Sequence, residues 1–153
     1  MLATPQRYTL VAAAAEGRTR LNAFDHALLA AGIGNLNLVR VSSILPPLAE
    51  EAERVETAPG SLTPTAYGSI TSDVEGEIIA AAVGVGIGDP DEYGVIMEFS
   101  GRCSREEAEA EVRAMLEEAF ETRGRALKVV KIRSVEHRVR NVGCALAAVA
   151  LWG

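Results

Sequence analysis

A chain of 153 residues, 48% hydrophobic and 24% charged, is sized for one domain that buries roughly 70% of the surface its unfolded form exposes. A formal net charge of −6 and a pI near 5.0 argue against a nucleic-acid binder, and no run approaches the ~18 uninterrupted apolar residues of a membrane span. Cys103 and Cys144 are too few for a disulfide framework and lack metal-ligand spacing; the N-terminus has no basic region ahead of its apolar run, so the expected compartment is the cytoplasm.

In chain order, Tyr8 to Ala15 reads as a short apolar strand ended by Glu16-Gly17. Leu21 to Ala31 reads as a helix, apolar at Leu21, Phe24, Leu28 and Leu29, with Gly32 as its stop. Leu36 to Leu45 alternates as a single strand halted by Pro46-Pro47. Leu48 to Thr57 is acidic and exposed, with room for one or two helical turns. Ser61 to Ser72, Glu77 to Ile87 and Tyr93 to Phe99 read as strands. A capping box, "SREE", opens a helix at Ser104, whose apolar stripe runs through Ala108, Val112, Met115, Leu116, Ala119 and Phe120 to a stop at Gly124. Leu127 to Val139 alternates, and Gly143 to Trp152 is a nearly continuous apolar strand. Seven strands and two well-separated helices predict an α+β layered sandwich rather than a doubly wound sheet. The Ala/Gly-rich "IIAAAVGVGIG" permits close approach of another layer or subunit.

Several signals carry no chemistry. "GVGIGDP" is half of a dinucleotide fingerprint but opens no helix. His137 sits alone in an alternating strand and His26 alone on a helix, so neither has a metal-ligating neighbour in sequence. Cys103 precedes a helix N-cap, where a thiolate is favoured, but no base partner accompanies it. No G-x-S-x-G or Ser-His-Asp order is present.

Ser42-Ser43 remains, two adjacent hydroxyls at the end of a strand built for packing. The plain reading is a pair hydrogen-bonded into a turn. The chemical reading is self-cleavage: a serine hydroxyl attacks the preceding carbonyl when the peptide is strained and an oxyanion donor is near. β-Elimination of the resulting ester leaves dehydroalanine, which hydrolyses to a pyruvoyl group.

Four ordered blocks surround the pair: "RLNAFDHALLAAGIGNLNLVRVSSILPP", "GSLTPTAYGSITSDVEGE", "GVIMEFSGRCSREEAEAEV" and "VEHRVRNVGCALAAVALW". Together they resemble the pyruvoyl-dependent arginine decarboxylases over nearly the whole chain, Tyr8 to Trp152. Arg20 ahead of "LNAFD", Phe99 and Ser100 depart from the family pattern. The resemblance implies a four-layer αββα sandwich, cleaved into residues 1–42 (β subunit) and 43–153 (α subunit). It further implies trimers, or pairs of trimers, with sites between subunits. The implied activity is conversion of L-arginine to agmatine and carbon dioxide, using a pyruvoyl group made from Ser43 in place of pyridoxal phosphate or a metal.

By the same resemblance, Asn37 assists self-cleavage at Ser42, Glu98 donates a proton during decarboxylation, and Asp25 receives the guanidinium; Gly34, Leu36 and Ile44 line the site. A carboxyl between Met97 and Phe99 is the kind that burial keeps protonated, and a planar guanidinium fork suits a carboxylate. Pro46-Pro47 are expected to hold the scissile bond bent. The same chemistry on lysine or histidine, and a non-cleaving trimer partner, are the alternative readings.

Overall fold

Strand alternation sorts the apolar side chains of this chain onto both faces of two sheets. The computed structural model describes residues 2–153. In chain order the elements are β1 (Arg7–Glu16), α1 (Arg20–Ala30), β2 (Asn37–Arg40), β3 (Ile44–Leu45), β4 (Glu50–Glu51), β5 (Leu62–Ser72), β6 (Ile78–Ile87), β7 (Gly94–Gly101), α2 (Arg105–Thr122), β8 (Val129–Arg138) and β9 (Gly143–Trp152). One sheet has the order β2-β5-β9-β1-β4 and the other β3-β7-β6-β8.

Three apolar seams join four layers. Ala23, Ala27 and Leu28 of α1 cover Cys144, Leu146 and Ala148 on the outer face of β9. The alternate residues of β9 (Ala145, Ala147, Val149 and Leu151) meet Ile79, Ala81, Val83 and Val85 of β6 between the sheets. The other face of β6, at Ala80 and Ala82, packs under Val112, Leu116 and Phe120 of α2. The fold is therefore α+β, an αββα sandwich. β9 is buried at every position because it feeds two seams at once.

The small residues of β6 decide how closely α2 can lie. A Cβ on Gly84 would stand 2.5 Å from Val112 Cγ1 and 3.0 Å from Leu116 Cδ1, and one on Gly86 2.9 Å from Phe120 Cε1. The helix itself starts as its sequence predicts: Ser104 accepts from the Glu107 N–H at 3.1 Å, and Glu107 returns to the Ser104 N–H at 3.3 Å. Its stripe is buried at Ala108, Val112, Leu116, Ala119 and Phe120, with Met115 half-buried. Both helix stops are left-handed glycines, Gly32 (φ 84°) and Gly124 (φ 64°).

Two expectations need correction. Leu36 to Leu45 is not one strand: β2 runs parallel to β5 in the first sheet, whereas β3 runs antiparallel to β7 in the second. Both sheets have the same two-residue repeat, so a change of partner leaves the alternation intact. Nor does Leu48 to Thr57 form a helical turn. Its backbone joins the sheet edge instead, Glu50 N–H donating to Gln6 O (2.9 Å) and Ala52 N–H to Tyr8 O (2.9 Å). The ladder and the Lys131–Glu51 ion pair (2.8 Å) hold this acidic stretch extended.

Gly84→Val should destabilise the fold by about 1–3 kcal/mol, as overpacking of a filled seam does. A lowered midpoint in urea, with the denaturant slope unchanged, is the expected reading.

Candidate active site

The Ser42-Ser43 bond lies where the chain passes from one sheet to the other. Upstream, the Val41 N–H still bonds Thr65 O on β5 (3.2 Å); downstream, Ser43 O already accepts from the Ile96 N–H on β7 (2.7 Å). Ser42 is exposed and Ser43 half-buried. Ile44 continues into β3 opposite Val95, and its side chain remains 42% exposed at the mouth of the crossing. The backbone bends at Ser43. The only left-handed non-glycine among the described residues is Leu48 (φ 62°), just beyond Pro46-Pro47. That turn is tied down by Leu48 N–H to Pro90 O (3.1 Å) and Ala49 N–H to Pro46 O (3.3 Å).

Glu98 stands two residues past Ile96 on β7, so its side chain turns toward the same inter-sheet space. It lies over Gly68 of β5, where a Cβ would come within 3.3 Å of Glu98 Cγ. Any larger residue at 68 would crowd the carboxyl, which is the close-approach use of glycine. Burial holds the Glu98 carboxyl above the ordinary glutamate range, with the positive charge of Arg40 acting in the opposite sense. The structure thus sets Ser43 and Ile44 beside Ile96 and Val95 of β7, two and three residues before Glu98 on the same strand.

Arg40 is the neighbour that sequence reading missed. Its Nη2 donates to Tyr67 O at 2.7 Å, and its guanidinium carbon sits 4.4 Å from the centre of the Tyr67 ring. A signal was available: Arg40 is the one Lys, Arg, Asp or Glu between Asp25 and Glu50.

Asn37 and Asp25 are not in contact with this group. Asn37 begins β2, three residues or about 10 Å before Arg40 along an extended strand, and its Nδ2 donates to Gly60 O at 3.0 Å. Asp25 is exposed on α1, on the far side of the first sheet from Glu98. Its neighbour Phe24 stacks 6.1 Å from Tyr67, which brings this part of α1 to the sheet edge that holds Arg40. Gly34 and Leu36 line a separate recess of about 190 Å³ with Leu29, Val55 and Thr57. Gly34 touches Leu29 so closely that a Cβ would meet it at 2.6 Å.

The remaining reactive side chains are accounted for structurally. His137 Nε2 meets Glu16 Oε2 at 2.6 Å beside a recess of about 840 Å³, which none of the sequence-predicted site residues lines. Burial is the largest influence on Glu16 and raises its pKa; His137 and the N–H groups of Asn141 and Arg140 outweigh it, leaving Glu16 below the ordinary range. The Cys103 thiol is pushed up, first by burial and then by Glu107, Glu136 and Glu111, so the helix start does not make it a thiolate. Burial pushes Cys144 up to about 11. No group of three or more His, Cys, Asp or Glu suited to a metal ion occurs among the described residues, and no helix there is long and apolar enough to cross a membrane.

A family model for pyruvoyl-dependent arginine decarboxylase matches residues 7–152. The chain belongs to the pyruvoyl-dependent arginine decarboxylase family. Among its relatives, the pyruvoyl-dependent arginine decarboxylase of Methanocaldococcus jannaschii is 53% identical over 149 residues, spanning 97% of this chain and 90% of that protein. Those of Thermococcus kodakarensis and Pyrococcus abyssi are 50% and 47% identical over 97% of this chain, and over 95% and 96% of their own lengths.

The two shifted glutamates should leave opposite marks on stability. Glu98, raised in the fold, binds its proton more tightly there, so its contribution is full at low pH and is lost as pH rises through the raised value. Glu16, lowered in the fold, contributes above the ordinary glutamate pKa and loses that contribution as pH falls through its lowered value. Urea unfolding of Glu98→Gln and Glu16→Gln against wild type, over an acid-to-neutral pH series, should give differences that change with pH in opposite directions.

Proposed function

We propose that this chain is a proenzyme that cuts itself between Ser42 and Ser43 and then decarboxylates L-arginine to agmatine and carbon dioxide. The observation that carries the reading is the sheet-to-sheet crossing, which puts the serine pair at the one point where Ile96 holds the backbone and Glu98 faces the same space.

The cleavage follows from atoms already adjacent. The Ser43 hydroxyl oxygen attacks the Ser42 carbonyl carbon, and the C–N bond breaks to leave an ester and a free Ser43 amine. Loss of the Ser43 α-proton and of its Cβ–O bond frees Ser42 as a carboxylate and leaves dehydroalanine. Water then displaces the nitrogen as ammonia, so one water is consumed overall and no oxidant is needed. Ile96 fits this sequence because its N–H holds the Ser43 carbonyl, which survives every step.

The pyruvoyl group so formed supplies an electron-withdrawing carbonyl that takes up charge as the substrate carboxylate departs. Glu98, whose carboxyl burial makes harder to ionise, gives a proton to the carbon that has lost carbon dioxide. Asp25 has no hydrogen bond or ion pair among the described residues and is free to take the two-pronged guanidinium. Asp25 and Asn37 stand apart from Ser43 within one chain, which favours a trimer in which one copy's Asp25 and Asn37 complete the Ser43–Glu98 group of the next. Ile44, Gly34 and Leu36 supply the walls.

Intact-mass measurement should find two fragments, residues 1–42 and 43–153, in wild-type protein and one uncut chain in Ser43→Ala. Glu98→Gln should cut normally, with carbon dioxide release from arginine lowered ~10²–10⁴-fold. An uncut wild-type chain after long incubation overturns the proposal. Faster release from lysine or histidine than from arginine reassigns the substrate.

Sharing of residues between copies has its own test. Asp25→Asn alone should be nearly inactive on arginine but fully cut, because an unpaired guanidinium costs ~2–5 kcal/mol. Co-assembly of equal amounts of Asp25→Asn and Glu98→Gln chains should restore about one quarter of wild-type activity, the share of head-to-tail interfaces with both side chains intact. No recovery would put both residues in a single chain's site.

A further inference from the structure

We propose that Ser100 is a positioning residue for Glu98: its hydroxyl pins β7 to the open edge of β5 and so fixes the seat of the Glu98 side chain over Gly68. This rests on the proton-donor role proposed above for Glu98 and adds to it a residue that the reading does not use.

β2 covers β5 only as far as Thr65, whose carbonyl takes the Val41 N–H. Beyond that point the carbonyls along the vacated edge are met by side chains. Tyr67 O accepts from Arg40 Nη2 (2.7 Å), Ser69 O from Ser100 Oγ (3.1 Å) and Thr71 O from Arg20 Nη1 (3.1 Å). Arg40 belongs to the first sheet itself, and Arg20 to the helix packed on that sheet's outer face. Ser100 comes from β7, in the second sheet. The other side-chain ties between the sheets among the described residues, Lys131 to Tyr8 and Glu51 and His137 to Glu16, lie along β1 and β8 on the far side of the sandwich.

Ser100 follows Glu98 by two residues on β7, so both side chains take the inter-sheet face. They land on neighbouring residues of β5, Glu98 on Gly68 and Ser100 on Ser69. Packed sheets ordinarily stand about 10 Å apart. A serine side chain is too short to cross that distance, so a hydroxyl bonded directly to the opposite backbone marks a pinch between the two strands. Gly68 permits the pinch, because a Cβ there would press on Glu98 Cγ and Cβ at 3.3 and 3.4 Å. The seam beside it is made of apolar side chains, among them Ala81, Val83 and Ala147, which have no hydrogen bond to give. Past Ile96, β7 also has no strand on its outer side, since β3 pairs with it only at Gly94 and Val95. Without the Ser100 bond the backbone that carries Glu98 would be laddered to β6 alone. A shift of about 1 Å there is enough to spoil the geometry of a proton transfer.

The test measures self-cleavage by intact mass, and carbon dioxide release from arginine, for wild type, Ser100→Ala and Ser100→Thr, each also in the Glu98→Gln background. All should cut normally. Ser100→Ala should lower kcat about tenfold or more with KM within about twofold of wild type, the mark of a misplaced catalytic group. Ser100→Thr, which keeps the hydroxyl, should restore most of the loss. The labelled Glu98 carboxyl, titrated by carbon-13 NMR in cut Ser100→Ala, should move to lower pH, because a loosened seat admits water. In Glu98→Gln chains Ser100→Ala should cost little further, since it acts through Glu98. Wild-type kcat in cut Ser100→Ala overturns the proposal. An equal fall in both backgrounds also overturns it and makes Ser100 a general tie between the sheets. If Ser100→Ala does not fold, Ser100→Cys weakens the donor with little change of volume and carries the same comparison. An uncut wild-type chain, or normal turnover by cut Glu98→Gln, is a failure of the reading above and is seen before any Ser100 variant is compared.

Discussion

Everything about the candidate site depends on one exchange of hydrogen-bond partners. The chain leaves the β5 ladder after Val41 N–H meets Thr65 O and enters the β7 ladder when Ser43 O meets Ile96 N–H. Backbone groups in the middle of a packed sandwich must be paired, and a strand that changes sheets leaves a short gap in that pairing. The gap falls at Ser42-Ser43, with the residue on either side held by a different sheet. A peptide bond bridging two rigid ladders is fixed at both ends and accessible in the middle, the arrangement that the proposed self-cleavage would need if the halves are not to drift apart. After a cut there, β1 and β2 would still be paired with β9 and β5, so residues 1–42 would remain part of the sandwich.

The sheets around this gap are thin because their contact residues are small. Ala80, Ala82, Gly84 and Gly86 let α2 lie against β6, while Ala145 and Ala147 let the sheets approach. The same economy of side chains at Gly68 leaves room for Glu98 between the sheets. Close packing, low charge and a half-buried carboxyl are therefore one feature, since a seam of alanines and glycines offers few groups to solvate a negative charge.

Glu16 and Glu98 make the point by contrast. Glu16 sits at a strand end, where two backbone N–H groups and His137 favour its charged form over the opposing effect of burial. Glu98 sits at mid-strand, where the neighbouring backbone is already committed to the ladder and only Arg40 opposes burial. Two glutamates of the same intrinsic acidity are separated by the availability of unpaired donors. A recess of about 840 Å³ lies beside Glu16.

The capping box at Ser104, the apolar stripe of α2, the glycine stops and most strands were legible in sequence, because each is a local pattern of backbone satisfaction or periodicity. The serine pair was visible for the same reason: two hydroxyls interrupt an apolar run. The split of residues 36–45 between sheets was not visible, since alternation reports which face a side chain takes and not which strand lies beside it. The acidic stretch after Leu48 was misread for a related reason, its extended form coming from Gln6 and Tyr8 more than forty residues earlier in the chain. Arg40 carried a sequence signal, its isolation in a long uncharged run, but its contacts with the ring and carbonyl of Tyr67 across the ladder are visible only in the fold. What the sequence determined by itself was the chemistry available and the local shape of each element. Which groups share a dielectric, which charges oppose each other, and where the chain changes sheets were decided only by tertiary structure, because electrostatic coupling and strand pairing depend on distances through space that separation along the chain does not encode.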